Sequence, residues 1–363
     1  MGQAMETAHP GFLEQKKGSA FLPQQSSDSE QSCGHFDLHE LFTSGRIEER
    51  VEQLLQELFP HEPISPTELE VPTFTGYFDH FELLEQIGRG AFSRVFKAID
   101  KKLGNRLVVL KTGKLIEQEP SIVGRLNHKH IMPVYSSWQD ELGMTTICMP
   151  YLGRYTLQDK VAALQRQTRR QQKVEGGKME ISMSWKRHPE FSNLLAILTE
   201  VGQALIYAHH QEVLHLDIKP SNVLVGFCGH ALLLDFNLAG DFLIQKSPMG
   251  GTLSYMSPEH LRRCVLQETV DLDARSDIYS LGVLMFEMFF GYRPFDSAGP
   301  PMRARFQTRM MLGRQQRVNS LFEKKKPGIP RQLTRIIQRC LQFDPASRYS
   351  AVAEVVRALS KLG

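Results

Sequence analysis

The amino-acid sequence predicts an α+β fold in which a small β-rich lobe precedes a larger helical lobe. Two observations carry this prediction. Between residue 81 and about residue 150, short β-rich runs are separated by Gly and Asn, without any long helical pattern. From residue 157 onward, long stretches with apolar residues at helical spacing dominate. The change of pattern places the first lobe at residues 77–152 and the second at residues 153–360.

Both lobes contain individually recognisable elements. The candidate strands of the first lobe are residues 81–87, 93–99, 106–111 and 145–149. The strongest helical pattern of the second lobe, residues 191–210, repeats Leu, Val and Ala at spacings of three and four. Residues 277–290 and 332–341 are further candidate helices. No internal repeat is visible, so the lobes are not expected to be built from duplicated units.

The N-terminal region differs from these lobes in composition. Residues 1–34 are rich in Gln, Ser and Gly, lack periodicity, and are expected to form a flexible tail. Residues 35–76 are expected to contain accessory helices and a Pro-rich linker. The clearest of these helices places five apolar residues on one face: Ile47, Val51, Leu54, Leu55 and Leu58. We expect this face to dock on the main domain, and a partner-binding helix is the alternative.

Composition, charge and cysteine usage limit the class of protein. With 363 residues, 41% of them hydrophobic and 23% charged, the chain has the composition of a water-soluble globular protein. A net charge of +3 is too small to indicate nucleic-acid binding. Five scattered cysteines without a CxxC pair indicate reduced thiols, and neither a signal peptide nor a bilayer-long apolar stretch is visible. We therefore expect a cytoplasmic protein that binds neither nucleic acid nor membrane.

A glycine-containing turn connects the first two candidate strands. Residues 88–95 read GRGAFSRV, in which Gly88 and Gly90 are followed by Ser93. Glycine lets a backbone approach phosphate oxygens closely because no Cβ stands in the way. The motif alone is weak evidence, since an ordinary β-hairpin turn can have the same composition.

Several polar residues then follow apolar runs. Lys111 ends an apolar strand, where a lysine is costly to bury unless it is paired or binds a ligand. Residues 215–222 read HLDIKPSN and include Asp217, Lys219 and Asn222, and Asp235 follows the apolar run 232–234. Two carboxylates, lysines and an asparagine supply metal oxygens, charge stabilisation and a hydroxyl acceptor, which are the groups that phosphoryl transfer needs.

With these motifs the chain resembles the protein kinase family over roughly residues 81–360. The HxDxKxxN motif, the aspartate-led triplet 235–237 and the SPE segment 257–259 occur in the family's order. Residues 277–282 (DIYSLG) and 344–348 (DPASR) extend the match, and residues 250–259 (GGTLSYMSPE) are similar to bacterial kinases of the eukaryotic type. The resemblance implies a bilobal protein-kinase-like fold and a Ser/Thr protein kinase that uses ATP and Mg²⁺.

The resemblance also implies roles for the reacting residues. Lys111 would hold the α- and β-phosphates of ATP and pair with Glu119, with Glu117 as the rival partner. Asp217 would orient the attacking hydroxyl and accept its proton. Lys219 would neutralise charge on the transferred phosphoryl group.

The same resemblance implies a metal site and a nucleotide pocket. Asn222 and Asp235 would hold Mg²⁺. The implied nucleotide-binding residues are Ile87, Gly88, Gly90, Ser93, Val95, Val109, Lys111, Met149, Leu152, Asn222 and Leu224.

The sequence departs from the family's pattern at four places. Ser93 stands in place of the third glycine of the loop, and Asn237 in place of the glycine that ends the aspartate-led triplet. Leu216 replaces the arginine that precedes the aspartate in kinases switched by loop phosphorylation, so we expect such phosphorylation not to be a strict on-switch. The spacing from the lysine to Glu119 is short, and because Pro120 suits the first turn of a helix, we expect a short helix that begins near Glu119.

Three further residues resemble structural supports of the family. Glu259 and Arg348 resemble a buried ion pair that braces the activation segment against the helical lobe. Asp277 resembles the helix residue that holds the backbone of the catalytic loop. Loss of activity on changing Glu259 or Arg348 would reflect lost structure rather than lost chemistry.

Basic residues concentrate in residues 301–331, which contain nine basic side chains and one acidic one, Glu323. The segment falls where protein kinases carry a substrate-docking helix. We expect an acidic protein substrate to dock there, steered by charge, although solvated loops can have the same composition.

Two alternatives to an active protein kinase remain at this point. A nucleotide-binding pseudokinase scaffold would keep the fold without phosphoryl transfer, but the intact Lys111, Asp217, Asn222 and Asp235 favour an enzyme. A kinase of small molecules would share the same core, but Lys219 and the SPE segment favour protein substrates.

Overall fold

The computed structural model describes residues 80–89, 93–114, 119–171, 185, 188–236, 252–295, 304–322 and 328–362. The expectations for residues 1–76 and for Gly90, Glu117 and Asn237 lie outside the described residues.

Five antiparallel strands form the sheet of the N-terminal lobe, in the spatial order β1-β2-β3-β5-β4. They are β1 (Phe81–Arg89), β2 (Ser93–Asp100), β3 (Arg106–Gly113), β4 (Ser136–Gln139) and β5 (Thr145–Pro150). Successive side chains of a strand point to opposite faces of a sheet. One face packs in a small apolar cluster of Phe81, Ala98, Val108, Leu110 and Cys148.

The opposite face of this sheet carries the residues that matter for the site. Val109 and Lys111 alternate with the clustered Val108 and Leu110 along β3 and therefore lie on that face. Lys111 pairs in register with Val95 of β2, and Val109 pairs with Met149 of β5. Residues directly opposite one another share a face, so all four project to the same side.

A short helix and a second, three-stranded sheet join the two lobes. Helix α1 (Glu119–Val123) follows β3, and strands β6 (Tyr155–Thr156), β7 (Val223–Val225) and β8 (Ala231–Leu233) pair in sequence order. Met132 donates its backbone N–H to the Leu233 carbonyl, which ties the loop after α1 to this second sheet.

Seven further helices build most of the C-terminal lobe in the described ranges. They are α2 (Leu157–Gln171), α3 (Glu190–His210), α4 (Pro258–Cys264), α5 (Ala274–Phe290), α6 (Ala304–Gln316), α7 (Arg331–Cys340) and α8 (Val352–Leu359). Short 3₁₀ helices cover Pro220–Asn222, Thr252–Tyr255, Val318–Phe322 and Pro345–Ser347. The predicted α+β fold with a β-rich N-terminal lobe and a helical C-terminal lobe is thus confirmed.

Helices α3 and α5 form the centre of the C-terminal core. Helix α5 is capped at its N-terminus by Asp273, whose carboxylate accepts the Arg275 N–H. At its C-terminus it is capped by Gly291 with φ 81°, a left-handed conformation that favours glycine. Of the described helices, α3 alone is long and apolar enough to cross a membrane. Its residues Leu194 and Leu198 are fully buried in the lobe core, which accounts for its apolar character.

Candidate active site

The central feature of the site is a buried lysine between two carboxylates. The Lys111 Nζ lies 2.7 Å from Glu119 Oε2 and 2.7 Å from Asp235 Oδ1. Lys111 and Glu119 are buried, whereas the Asp235 side chain is 36% exposed. A lysine from β3, a glutamate from α1 and an aspartate from the loop after β8 are thereby joined across the two lobes.

The pKa values of these three groups are interdependent. Burial alone would lower the pKa of Lys111, but the carboxylates of Asp235 and Glu119 outweigh burial and raise it. Burial raises the pKa of Glu119 to about 7, although the Lys111 ammonium opposes that shift. Burial would also raise the pKa of Asp235, yet there the Lys111 ammonium prevails and the pKa is lowered. Glu119 is therefore the member of the triad that titrates near neutral pH.

Glu119 and the proline beside it belong to helix α1, which is described over Glu119–Val123. A proline is tolerated in the first turn of a helix, where a missing N–H costs nothing. Ile122 and Val123 of the same helix are buried and hold it against the core. Over these described residues the helix leaves the Glu119 carboxylate facing Lys111, and the expected start of the helix stays a prediction.

The loop that carries Asp217 is held by a buried aspartate of α5. Asp277 accepts the backbone N–H of His215 at 2.9 Å and that of Leu216 at 2.8 Å. Burial would raise the pKa of Asp277, but the hydrogen bond and charge of His209 prevail and lower it. Leu216 is buried and has φ 61°, so the loop backbone is turned sharply just before Asp217.

The ring of His215 links this loop to the segment that bears Asp235. Its Nε2 lies 2.8 Å from the Leu234 carbonyl oxygen, and its Nδ1 accepts the Asp217 N–H at 3.2 Å. Because a carbonyl only accepts, Nε2 is the donor in that contact. The Phe236 ring lies beside the His215 ring, tilted by 56°, with ring centroids 4.7 Å apart. The backbone segments that carry Asp217 and Asp235 are therefore linked by one shared side chain.

The Asp217 carboxylate has one satisfied and one unsatisfied oxygen. Its Oδ2 accepts hydrogen bonds from Lys219 Nζ at 2.7 Å and from Asn222 Nδ2 at 2.9 Å. Its Oδ1 is buried and has no hydrogen-bond partner among the described residues. A buried, unpaired acceptor is costly, so an oxygen in this position is suited to receive a donor from a bound molecule.

Asn222 and Asp235 offer the oxygens of a candidate metal site. Asn222 is buried, and its amide nitrogen donates to the carbonyl oxygen and to the Oδ2 of Asp217. Its amide oxygen takes part in neither of these two hydrogen bonds. The described residues contain no group of three or more His, Cys, Asp or Glu side chains arranged to hold a metal. One carboxylate and one amide oxygen fit Mg²⁺, which takes most of its ligands from water and phosphate.

An apolar surface lies beside these polar groups. Leu224 of β7 packs in a cluster with Met132 and Leu232, and Met149 packs against that cluster. Val95 and Val109 share the sheet face with Met149 and are partly buried. These residues are suited to enclose a flat, apolar ring from two sides.

The remaining described residues of the predicted pocket are Ile87, Gly88, Ser93 and Leu152. Gly88 pairs in register with Val95, and Ser93 begins β2. Ile87 is 44% and Leu152 37% exposed.

A comparison with protein-family models matches residues 81–358 to the protein kinase domain. The chain belongs to the protein kinase family. The order of the HxDxKxxN motif, the aspartate-led triplet and the SPE segment had predicted this membership.

Similar proteins include several bacterial serine/threonine-protein kinases. The chain is 25% identical over 285 residues to a probable serine/threonine-protein kinase PknB of Lactococcus lactis, covering 77% of this chain and 41% of that protein. It is 28% identical over 294 residues to the probable kinase SCO3848 of Streptomyces coelicolor, covering 76% and 38%. It is 27% identical over 296 residues to PknB of Mycobacterium tuberculosis, covering 76% and 42%. The match thus spans about two fifths of the length of each relative.

The kinase domain also contains the predicted pair of Glu259 and Arg348. Two guanidinium nitrogens of Arg348 lie 2.7 and 2.8 Å from the two oxygens of Glu259. Ser276 donates its hydroxyl to the same carboxylate at 2.8 Å, and the guanidinium lies over the Tyr279 ring. The pair is buried, so it joins α4, α5 and the C-terminal 3₁₀ turn as one unit.

Two histidines of the kinase site received no role from the sequence. His215 positions both Asp217 and the Leu234 backbone, and the Nε2 of His209 lies 2.7 Å from Asp277 Oδ2. The position of His215, two residues before the catalytic-loop aspartate, is the signal that could have found it. No local pattern marks His209, because its partner lies far along the chain.

We expect Glu119→Gln to remove a pH dependence of kinase stability between pH 4.5 and about 7. In this window the folded chain keeps the Glu119 proton that the unfolded chain has released. The free energy of unfolding of the native sequence therefore falls as pH rises, by at most about 1.4 kcal/mol per pH unit from this group. Urea unfolding at several pH values in the window measures the slope. The matched control Glu82→Gln, at an exposed carboxylate, should keep the native slope, and an unchanged slope in Glu119→Gln would contradict the assignment.

Proposed function

We propose that this chain is an active serine/threonine protein kinase that transfers the γ-phosphoryl group of ATP to protein hydroxyls with Mg²⁺. The observation that carries the proposal is the unpaired, buried Oδ1 of Asp217, beside Lys219 and within a site that also assembles Lys111, Glu119 and Asp235. A pseudokinase scaffold, which transfers no phosphoryl group, does not require a buried carboxylate oxygen that is left without a donor.

The proposed chemistry is positioning and electrostatic stabilisation rather than covalent catalysis. Asp217 Oδ1 accepts the hydrogen of the attacking Ser or Thr hydroxyl and takes the proton as the O–P bond to the γ-phosphorus forms. Lys219, already oriented by its contact with Asp217 Oδ2, neutralises charge on the transferred group. The bond from the γ-phosphorus to the bridging oxygen breaks, and its electron pair leaves with ADP.

Lys111 and the apolar pocket would bind ATP itself. Lys111 is aimed by Glu119 and would contact the α- and β-phosphates, while Val109, Met149 and Leu224 would enclose the adenine ring. Asn222 and Asp235 are the residues that would hold Mg²⁺, which when bound offsets phosphate charge. The oxygen donors present fit this ion.

We further propose that activity does not depend on phosphorylation of the activation loop. Leu216 occupies the place of the arginine that pairs with a loop phosphate in switched kinases, and it is buried. A leucine cannot pair with a phosphate. The backbone of the catalytic loop before Asp217 is held by Asp277, whose hydrogen bonds to the N–H groups of His215 and Leu216 do not require a phosphate.

One experiment tests both proposals. The full chain is incubated with γ-labelled ATP, Mg²⁺ and a generic protein substrate, before and after phosphatase treatment, and the labelled amino acids are analysed. We expect phosphoserine or phosphothreonine, with rates that agree within about twofold before and after treatment. Nucleotide binding without any labelled product would favour the pseudokinase alternative, and loss of activity after dephosphorylation would contradict ungated activity.

The basic segment is proposed to dock an acidic protein substrate. Arg305 and Arg309 of α6 are exposed, and their charges would attract such a substrate. We expect Arg305→Glu combined with Arg309→Glu to raise KM for an acidic substrate about threefold or more at low salt, with little change in kcat. The matched control Arg357→Glu, at an exposed position of α8, should leave KM unchanged. A KM that changes neither with the charge reversal at Arg305 and Arg309 nor with the salt concentration would exclude this docking site.

A further inference from the structure

Helix α6 presents an apolar face to solvent. Phe306 is 53% and Met310 46% exposed, and they lie one turn apart on the same side of the helix. The opposite side is buried through Thr308, Met311 and Gln315. Gln315 also donates to the Met256 carbonyl, so the helix is fixed against the kinase core and its outward face is rigid.

Positive charge borders this apolar face on both sides. Arg305 and Arg309 lie along one border and Arg314 along the other, by the helical spacing of their positions. No Asp or Glu occurs within Ala304–Gln316. Between the borders, a Cβ built on Gly313 would meet no atom within 4 Å, so the space beside this position is open. We call Arg305, Phe306, Arg309, Met310 and Gly313 the α6 face.

The N-terminal region of the same chain contains a segment of complementary character. Residues 47–58 read IEERVEQLLQEL, with four Glu and one Arg. Their helical pattern gathers the apolar positions Ile47, Val51 and Leu55 on one face and places Glu48 and Glu52 one turn apart along its border. Arg305 and Arg309 have the same spacing along the α6 face.

The dimensions allow the two surfaces to meet within one chain. A helix of residues 47–58 would be about 18 Å long, close to the roughly 20 Å of α6. The Pro-containing residues 59–79 connect the segment to β1 and, when extended, span up to about 70 Å. A domain of this size has a radius of gyration of about 19 Å, so the connection can reach a surface on either lobe.

We propose that residues 47–58 dock on the α6 face of their own chain, with their apolar residues over Phe306 and Met310 and their carboxylates against Arg305 and Arg309. The apolar residues bury surface that is otherwise exposed, and the charges fix the register. The tether keeps the segment at high local concentration near this face, which favours the chain's own segment over a second copy.

Disulfide trapping in the full chain tests this docking without requiring catalysis. The exposed or N-terminal native cysteines Cys33, Cys228 and Cys264 are replaced by Ser, and Leu55→Cys is combined with Met310→Cys. Leu55→Cys combined with Leu142→Cys is the matched control, because Leu142 is 65% exposed in the N-terminal lobe. We expect intrachain trapping at Met310→Cys to exceed the control by roughly tenfold.

Charge reversal distinguishes specific docking from random collision. Glu48→Lys with Glu52→Lys should reduce trapping to the control level, and adding Arg305→Glu with Arg309→Glu should restore it. Trapping between two chains only would show that a second copy occupies the face and overturn the proposal. Trapping no better than the control, or insensitive to both reversals, would overturn it as well.

The docked segment would compete with an acidic substrate for the α6 face, a consequence that rests on the docking surface proposed above. Glu48→Lys with Glu52→Lys should then lower KM for that substrate about threefold. An unchanged KM would refute this competition. The trapping experiment is repeated with Asp217→Asn. Trapping that persists in this variant would show that docking does not depend on kinase activity.

Discussion

Asp217→Asn is expected to reduce kcat by roughly 10²–10⁴-fold while nucleotide affinity changes little. The amide has the same shape, and its oxygen can still accept from Lys219 and Asn222. The nitrogen would then occupy the place of Oδ1, so the substrate hydroxyl would face a donor instead of an acceptor. The variant therefore loses the proton acceptor and keeps the pocket. Steady-state rates and nucleotide titration of the same preparation measure the two effects.

The matched variant Asp235→Asn should have a different signature. Asp235 contacts Lys111 and is proposed to hold Mg²⁺, so its neutralisation should weaken the affinity for Mg²⁺ and ATP as well as the rate. Near-native turnover by a clean preparation of Asp217→Asn would show that another group accepts the proton. Equal loss of nucleotide affinity in both variants would show that Asp217 acts in binding rather than in the transfer step.

The sequence predicted the groups of this site better than their mutual geometry. The order of the motifs named Lys111, Asp217 and Asp235. Strand β4 was not predicted, because its four residues are mostly exposed and carry no apolar alternation. The hydrogen bonds of the His215 ring could not be predicted either, since they depend on how residues far apart in sequence meet in the folded chain.

The interpretation of Leu216 likewise needed the structure. From the sequence, a leucine before the catalytic-loop aspartate indicated only a missing positive charge. In the fold Leu216 is buried with a positive φ, and its N–H is one of the two that Asp277 accepts. The side chain is thus buried in the fold. A change to arginine would have to bury a charge there, at the cost of stability unless the charge finds a partner.

Arg348→Met is expected to lower the free energy of unfolding by about 3–5 kcal/mol, because it leaves the Glu259 carboxylate buried without its cation. Arg348 also donates to the carbonyls of Gln342, Phe343 and Arg275, so the change leaves these acceptors unsatisfied as well. Burial would raise the pKa of Glu259, but Arg348 lowers it below 4.5. The stabilising contribution of Glu259 ionisation is therefore present at neutral pH and is lost as pH falls through the lowered pKa.

Equilibrium unfolding in urea measures this effect, and a double-mutant cycle shows its origin. Glu259→Met alone should also destabilise, because it leaves the Arg348 guanidinium buried without its anion. The double variant should be more stable than Arg348→Met, because two apolar side chains in the same volume leave no buried charge without a partner. It should remain less stable than the native protein, because the backbone carbonyls that Arg348 contacted stay without a donor. Strictly additive losses would mean that Arg348 acts through those carbonyls, and not through Glu259. In either case the loss of kinase activity in Arg348→Met should follow the fraction of unfolded protein. In Asp217→Asn, by contrast, activity should be lost while the protein stays folded.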